Sequence, residues 1–336
     1  VSSAERLRRE LSRAEVPLQT YAQLQAPRDA DQGLFRRILR GLSCGQDVET
    51  AEAVPEAFGL SPSTVSRRFI RASARQLQAL QERRLDASTF VALVLDGKTF
   101  AEDTLVAALG ITAQGQQICL GFVPTGTENA TTCGAFLRQL VERGLRYDAG
   151  LLGLIDGSQR LRQAVAQVFG AAGLVQRCQW HKRANVRQSL PKAQQVTCRR
   201  KLPAAYAQPT SAGAQAALAR VRKDLQLLNQ SAVESLAEGL EETLTLHRLG
   251  GAARLGPSLS PTNCLESIFA QVEQRTAKVD CGRTSDQKHR WMAAALLDIE
   301  PRLRRIKGYQ HLPLLQRALH EEVTRMTGAS AAQVAA

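Results

Sequence analysis

Between residues 90 and 180 the chain alternates short, wholly apolar runs with helical periodicity, and few folds accept that alternation. Residues 90–95 form an apolar run that ends in Asp96-Gly97, and residues 151–155 form another that ends in Asp156-Gly157. Residues 104–111 and 117–123 read as two strands joined by a turn at Gln114-Gly115. Residues 129–143 and 158–169 carry apolar side chains at helical spacing, and 174–179 reads as a fifth strand. The order is therefore β-β-β-α-β-α-β. Fully apolar strands must be covered on both faces, so the expected class is α/β, a mixed five-stranded sheet with flanking helices. The apolar runs are far shorter than the roughly 18 residues that span a membrane. The charged first twenty residues hold no apolar signal core, and no membrane association is expected.

Both flanks of this region read as helical. Leu7 and Leu11, and then Leu34, Ile38 and Leu42, recur at helical spacing. Residues 47–58 suggest a helix, Gly59-Leu60 a turn, and Ser61 the N-cap of a second helix with Pro62 at its first position. Val65 and Phe69 fall on the inner face of that second helix, while Ser63, Thr64, Arg67 and Arg68 can point outward. This is the pattern of a helix-turn-helix over about residues 47–72, whose second helix enters a DNA major groove. An ordinary helical hairpin has the same pattern, and Pro55 would kink the first helix. Beyond the fifth strand, residues 182–195, 213–229 and 232–249 read as helices. Gly250-Gly251 and Gly256-Pro257 break the pattern, another helix starts near Pro261, and the alanine-rich end after Gly328 is expected to fray.

Charge placement narrows the partner. The 336 residues carry 44 Lys and Arg against 31 Asp and Glu, a net charge of +13. Residues 157–223 hold no acid at all and 13 bases, so the whole excess lies in that window. It includes Lys182, Arg183, Arg187, Arg199, Arg200 and Lys201. A confined basic excess points to a polyanion, and phosphate contacts by Lys and Arg supply most nonspecific nucleic-acid affinity. Seven scattered cysteines, at 44, 119, 133, 178, 198, 264 and 281, make no disulfide framework and suit a reducing cytoplasm.

The two strand ends carry the candidate chemistry. An aspartate closing an apolar strand is costly unless it meets a turn, a crevice or a cation, and ligands bind at that edge of open α/β sheets. Asp96 and Asp156, on strands that can be neighbours, suggest paired carboxylates sharing divalent cations such as Mg²⁺ or Mn²⁺. Glu266 is the best third carboxylate: Leu265, Ile268, Phe269 and Val272 make one apolar stripe, and Glu266 lies at its border. Asn263 and Glu266 also have capping-box spacing, so Glu266 has a local role open to it. Glu273 shares that edge, about 10 Å further along. Cys178 and His181 follow the fifth strand at a spacing that suits half a zinc site, with Cys198, Cys264 or His289 to complete it, or a place beside the carboxylates.

Several segments together resemble bacterial Mutator-type insertion-sequence transposases, the group related to the plant Mutator elements. They are Leu-Asp-Gly-Lys at 95–98, Ile-Asp-Gly-Ser-Gln at 155–159, Arg-Cys-Gln-Trp-His-Lys-Arg-Ala-Asn at 177–185, Thr-Asn-Cys-Leu-Glu-Ser at 262–267 and Arg-Trp at 290–291, with 59–69 resembling the family's helix-turn-helix. The resemblance implies a ribonuclease-H-like core with an Asp, Asp, Glu catalytic and metal-binding set, which falls on Asp96, Asp156 and Glu266. It places Cys178 and His181 near the active site. It also implies a helical insertion at 186–258 between the two parts of the core, 86–185 and 259–325, with a DNA-binding region at 1–85 and a flexible tail at 326–336. The expected activity is two-metal phosphoryl transfer on DNA, cutting 3′ ends of an insertion sequence and joining them to a target. The expected partners are terminal inverted repeats and target DNA, bound by a homodimer or larger assembly on the nucleoid. A helix-turn-helix regulator, a nuclease that does not transpose and a zinc-stabilised structural protein are the competing readings.

Overall fold

The computed structural model describes residues 7–8, 15–16, 39, 62–100, 103–125, 129–276 and 285–334. The chain divides into two compact units, one of residues 1–77 with 273–295 and the other of residues 78–272 with 296–336.

The larger unit is built on five strands. β1 (Phe90–Phe100), β2 (Asp103–Thr112) and β3 (Gln117–Thr125) form an antiparallel meander. β4 (Leu151–Ile155) runs parallel to β1, and β5 (Gly173–Arg177) runs parallel to β4, giving the order β3-β2-β1-β4-β5. The mixed sheet and the order of its elements follow the apolar runs of the sequence. One boundary differs in a way that matters. β1 does not stop before Asp96 but continues to Phe100, paired with β2 as far as Phe100↔Asp103. What stops is its pairing with β4, at Leu95↔Ile155. The apolar run therefore marks where β1 is flanked on both sides, and the polar continuation marks where only β2 remains.

Two helices cover one face of the sheet. α2 (Ala130–Glu142) is capped by Asn129, whose side chain accepts the Thr131 N–H at 2.9 Å. α3 (Gln159–Phe169) is capped by Ser158, which accepts from Leu161 at 3.4 Å. Phe136, Leu137, Leu140, Leu161, Val165 and Phe169 pack with Leu93, Leu95, Val106 and Leu120 in one core. Strand periodicity then sends Val94 and Asp96 to the opposite face from Leu93 and Leu95.

Between β5 and the last helices lie α4 (Gln179–Gln188), α5 (Gln195–Tyr206), α6 (Ser211–Gln226), α7 (Gln230–Ala237), α8 (Leu240–Thr243), α9 (Thr245–Arg248) and α10 (Ala252–Leu259). Val186, Leu190, Leu202, Leu218, Leu225, Leu236 and Leu244 form a second core among them. The single helix suggested over 232–249 is three short pieces, because Gly239 takes a left-handed conformation (φ 59°) and ends the helical run. Gly256-Pro257 does not break the chain but sits inside α10. Likewise 178–179 does not prolong β5: Cys178 is the N-cap of α4.

The chain closes with α11 (Asn263–Thr276), α12 (Ser285–Ile299) and α13 (Leu312–Val334). In the alanine-rich end α13 extends to Val334, as the high helix propensity of alanine allows. In the smaller unit Leu7–Arg8 pairs antiparallel with Glu15–Val16, so the helical spacing of Leu7 and Leu11 misleads; two matches are too few to fix a period. Leu39 is helical and fully buried. The first helix of the suggested helix-turn-helix, its turn and Ser61 lie outside the described residues. Its second helix does begin at Pro62, but as α1 (Pro62–Glu82) it runs well beyond the expected end near residue 72. On it Ser63 and Arg67 are exposed, Arg68 is half-buried, and Phe69 is buried with its ring 4.5 Å from that of Trp291. The side chain of Thr64 lies outside the described residues. No described helix is long and apolar enough to cross a membrane.

Candidate active site

The register Leu95↔Ile155 makes Asp96 and Asp156 the next residues on neighbouring parallel strands, which lie about 4.8 Å apart. Asp96 is only 5% exposed. Burial first, then the charges of Asp156 and Glu266, push its carboxyl up to about 7, with His181 and the Gly97 backbone pulling the other way. Asp156 leaves β4 in a turn, where its carboxylate accepts the Ser158 N–H at 2.8 Å and so helps start α3.

Glu266 arrives from the far side of the helical region by a series of backbone bonds. The Cys178 N–H donates to Ile155 O at 2.7 Å, tying the start of α4 to the residue before Asp156. The Gln179 N–H donates to Ser260 O at 2.9 Å, and the Thr262 N–H to Cys178 Sγ at 3.4 Å. Thr262 O then accepts from Leu265 and Glu266 at the first turn of α11. Glu266 turns its carboxylate back to Thr262, the residue just before its own helix, and toward α4. It accepts the Thr262 hydroxyl at 3.3 Å and lies 3.6 Å from His181 Nε2. Glu273 is exposed, two turns on.

Thr262 was not singled out by the sequence, yet it is the hub. Fully buried, its hydroxyl lies 3.6 Å from Cys178 Sγ, 3.5 Å from His181 Nδ1 and 3.3 Å from Glu266. Burial raises the Cys178 thiol, but hydrogen bonds from His181 and Thr262 outweigh it and the net shift is downward. His181 is raised to about 9, chiefly by the bond to Cys178 and then by the charges of Cys178, Asp96 and Glu266. Cys178 and His181 thus shift each other in opposite directions beside the three carboxylates, the thiol down and the imidazole up, helped by the position of Cys178 at a helix N-terminus.

Among the described residues no group of three His, Cys, Asp or Glu side chains is already arranged to hold a metal ion. Cys198, one suggested zinc partner, is instead buried in the core of the helical region. Cys264 is near enough to feel the charges of Asp96 and Cys178, but burial pushes its thiol up to about 12. The donor chemistry of Asp96, Asp156 and Glu266 still suits a hard divalent cation. All three offer oxygen, and the elevated Asp96 carboxyl signals a cluster short of positive charge.

The basic window is less free than its sequence suggests. Lys182 is 0% exposed and is not available to DNA. Its ammonium donates to Ser235 O at 2.5 Å and to Glu238 O, and burial and Arg177 push it down to about 8. Arg177, also buried, donates to Glu238 O at 3.0 Å and to its carboxylate at 3.1 Å. Arg162 pairs with Glu242, and Lys201 with Asp224 at 2.6 Å. Acids just beyond the window thus fold back onto four of its 13 bases. Arg183 and Arg187 are half-buried and Arg199 and Arg200 are exposed; none of these four has an ion pair among the described residues.

Comparison with known proteins matches residues 24–300 to a family model described as transposase, Mutator family. The transposase for insertion sequence element IS6120 of Mycolicibacterium smegmatis is 30% identical over 287 residues, covering 83% of this chain and 87% of that protein. The transposase for IST2 of Acidithiobacillus ferrooxidans is 30% identical over 232 residues, 66% of this chain and 76% of that one. The transposase for IS905 of Lactococcus lactis is 26% identical over 239 residues, 68% and 59% of the two chains. With the match to the family model reaching across the strands, the helical region and the Glu266 helix alike, the chain belongs to the Mutator family of transposases.

Proposed function

We propose that the protein is a DNA transposase that cuts the ends of an insertion sequence and joins them to target DNA by metal-dependent phosphoryl transfer. The observation that carries the reading is the pairing that ends at Leu95↔Ile155, which sets Asp96 beside Asp156, with Glu266 close enough to raise the Asp96 carboxyl. The sheet order β3-β2-β1-β4-β5, three antiparallel strands followed by two parallel ones, supports a ribonuclease-H-like core. The relatives named above are transposases of insertion sequences, which supports DNA as the substrate.

Asp96, Asp156 and Glu266 would hold one or two Mg²⁺ or Mn²⁺ ions. Bound there, such ions supply an activated oxygen nucleophile and charge stabilisation at the leaving oxygen. The chain's own residues do the rest. Asp96, buried and central, presents its carboxylate from a rigid strand; Asp156 is aimed by its bond to Ser158; Glu266 is aimed by Thr262. His181, protonated near neutral pH, puts a positive charge 3.6 Å from Glu266 that would attract the substrate phosphate. Arg183, Arg187, Arg199 and Arg200 would hold the DNA backbone, while Ser63, Thr64, Arg67 and Arg68 on α1 would read terminal repeats as part of a helix-turn-helix. Joining two element ends requires at least two copies of the chain on DNA.

The test is Mg²⁺- or Mn²⁺-dependent cleavage of element-end DNA by Asp156→Asn. The variant is expected to lose cleavage while keeping DNA affinity. Cleavage at the wild-type rate by the purified variant would refute the assignment.

A further inference from the structure

The first turns of α4 carry a feature that the carboxylate chemistry does not use. Trp180, Arg183, Ala184 and Arg187 share one face of the helix by their spacing, and Cys198, Arg199 and Pro203 of α5 close the other side. Together they line an open recess of about 150 Å³, smaller than the roughly 300–1,000 Å³ of drug-sized ligand sites and suited to one small flat group. Its floor is apolar, since Ala184 and Cys198 are buried. Its rim holds three guanidinium groups, and among the described residues no carboxylate pairs with any of them. Trp180 is 44% exposed although Gln179 before it is buried and His181 after it is half-buried. An indole left in solvent beside three arginines that no described carboxylate neutralises, although Arg183 Nε donates to Gln179 O at 3.2 Å, needs an explanation that core packing does not give.

We propose that this cavity binds one unpaired nucleotide of a DNA strand, its base stacked on Trp180 and its flanking phosphates held by Arg183, Arg187 and Arg199. The chemistry matches in each part. A nucleobase is a flat apolar face with polar edges and suits an indole above an apolar floor; the phosphates suit the arginine rim. A base inside a duplex is covered on both faces by its neighbours and cannot offer one to Trp180, so the ligand is a nucleotide outside the stack. The cavity also adjoins the candidate active site: the Trp180 and His181 rings meet edge to face with centroids 5.0 Å apart, and His181 contacts Glu266. A nucleotide held here would fix the strand beside the proposed site of cleavage. The inference rests on the transposase reading for the identity of the polyanion as DNA.

The experiment uses the full chain, a short fluorescein-labelled oligothymidylate and a duplex of the same length. Affinity is read by anisotropy and occupancy by quenching of tryptophan fluorescence. Trp180→Ala is expected to weaken single-strand binding about tenfold, within the range for loss of one base–aromatic stack, and duplex binding less than twofold. Trp180→Phe should recover most of the single-strand affinity, which separates stacking from misfolding. Arg183→Ala with Arg187→Ala should lower the slope of log affinity against log salt by about 1.4, two phosphates at roughly 0.7 each on a single strand. Unchanged single-strand affinity in Trp180→Ala, or equal losses on both DNAs that Trp180→Phe does not repair, would overturn the proposal. The oligothymidylate carries no element end and reports binding alone. A chain that binds it through Trp180 but never cleaves DNA refutes the transposase chemistry and not the pocket. A chain that cleaves while Trp180→Ala binds single strands normally refutes the pocket and not the chemistry.

Discussion

Replacing Asp96 by Asn should stabilise the metal-free protein, and by an amount that grows with pH. In the folded chain the carboxyl is raised from 3.8 to about 7, so burial and its acidic neighbours make ionisation costly. Below about pH 3.8 the group is protonated in both folded and unfolded chains and costs nothing. Above that, the unfolded chain releases a proton that the folded chain retains, and stability falls as pH rises until the folded group itself ionises near pH 7. At about 1.4 kcal/mol per pH unit the full cost is about 4 kcal/mol. Asparagine cannot ionise and keeps the shape, so the variant escapes this cost while leaving Asp156 and Glu266 in place. The cleanest window is about pH 4.5 to 6.5, where His181 stays charged in the folded chain and is at least half charged in the unfolded one, so it adds little slope of its own. Across it the advantage of Asp96→Asn should widen by about 3 kcal/mol, read as free energies of urea unfolding in EDTA. Saturating Mg²⁺ should close the gap by binding the wild-type site alone. A gap that stays constant or narrows with rising pH would refute the claim that Asp96 sits in an uncompensated acidic cluster.

Three further substitutions probe the surroundings. Gly157→Ala should destabilise the fold by about 1–3 kcal/mol, because residue 157 has φ 121° and an added Cβ would lie 2.5 Å from Arg177 Nε; equal unfolding midpoints for variant and wild type would contradict this. Thr262→Val keeps the shape but removes the hydroxyl shared by Cys178, His181 and Glu266, so the cleavage rate should fall about 10–100-fold, as for other residues that orient ligands from behind. DNA affinity should hold and Thr262→Ser should restore the rate; a Val variant as fast as wild type would remove Thr262 from the site. Lys182→Met should cost about 3 kcal/mol of stability, since it strands the acceptors at Ser235 and Glu238, and should leave the salt dependence of DNA binding alone. Arg199→Ala with Arg200→Ala should do the reverse, flattening the salt slope without lowering the unfolding midpoint.

The sheet was legible because its strands are covered on both faces, and a strand so placed must be apolar at every position. Leu151–Ile155, buried throughout, is the clearest case. The same signal fails where coverage stops. Beyond Leu95 only β2 accompanies β1, so Asp96 to Phe100 reads as a loop although it is strand. Asp96 and Asp156 stood out because a carboxylate at the close of such a run is out of place, whereas Thr262 did not, since a buried threonine before a helix is an ordinary cap. Charge was the least legible layer. An acid-free stretch of sequence is not an acid-free surface, because Glu238, Glu242 and Asp224 reach it only through the tertiary fold. Lys182 and Arg183 are adjacent bases in sequence but point about 100° apart around α4, one sealed against Glu238 and one facing the cavity.

That inward lysine belongs to a device that fixes the helical region to the sheet. β5 is an edge strand, and an uncovered edge is open to pairing with another chain. Here Thr245 donates to Val175 O at 2.6 Å, Leu246 N–H to the Gln176 side chain at 2.7 Å, and Gln176 and Gln179 side chains both donate to Thr243 O at 2.9 Å. Arg177 and Lys182 add their bonds around Glu238, and the Arg177 guanidinium runs between Gly157 and Gly239, neither of which has room for a Cβ. Apolar packing alone tolerates sliding, but a buried charged group left without its acceptor costs several kcal/mol, so such a network admits one register. The segment from Gln176 to Lys182 is thus shared. Gln176, Gln179 and Lys182 hold the helical region, Cys178 and His181 reach the carboxylates, and Trp180 and Arg183 open toward the cavity. The helical region therefore cannot shift against β5 without moving His181 and Thr262, and with them the carboxylate of Glu266.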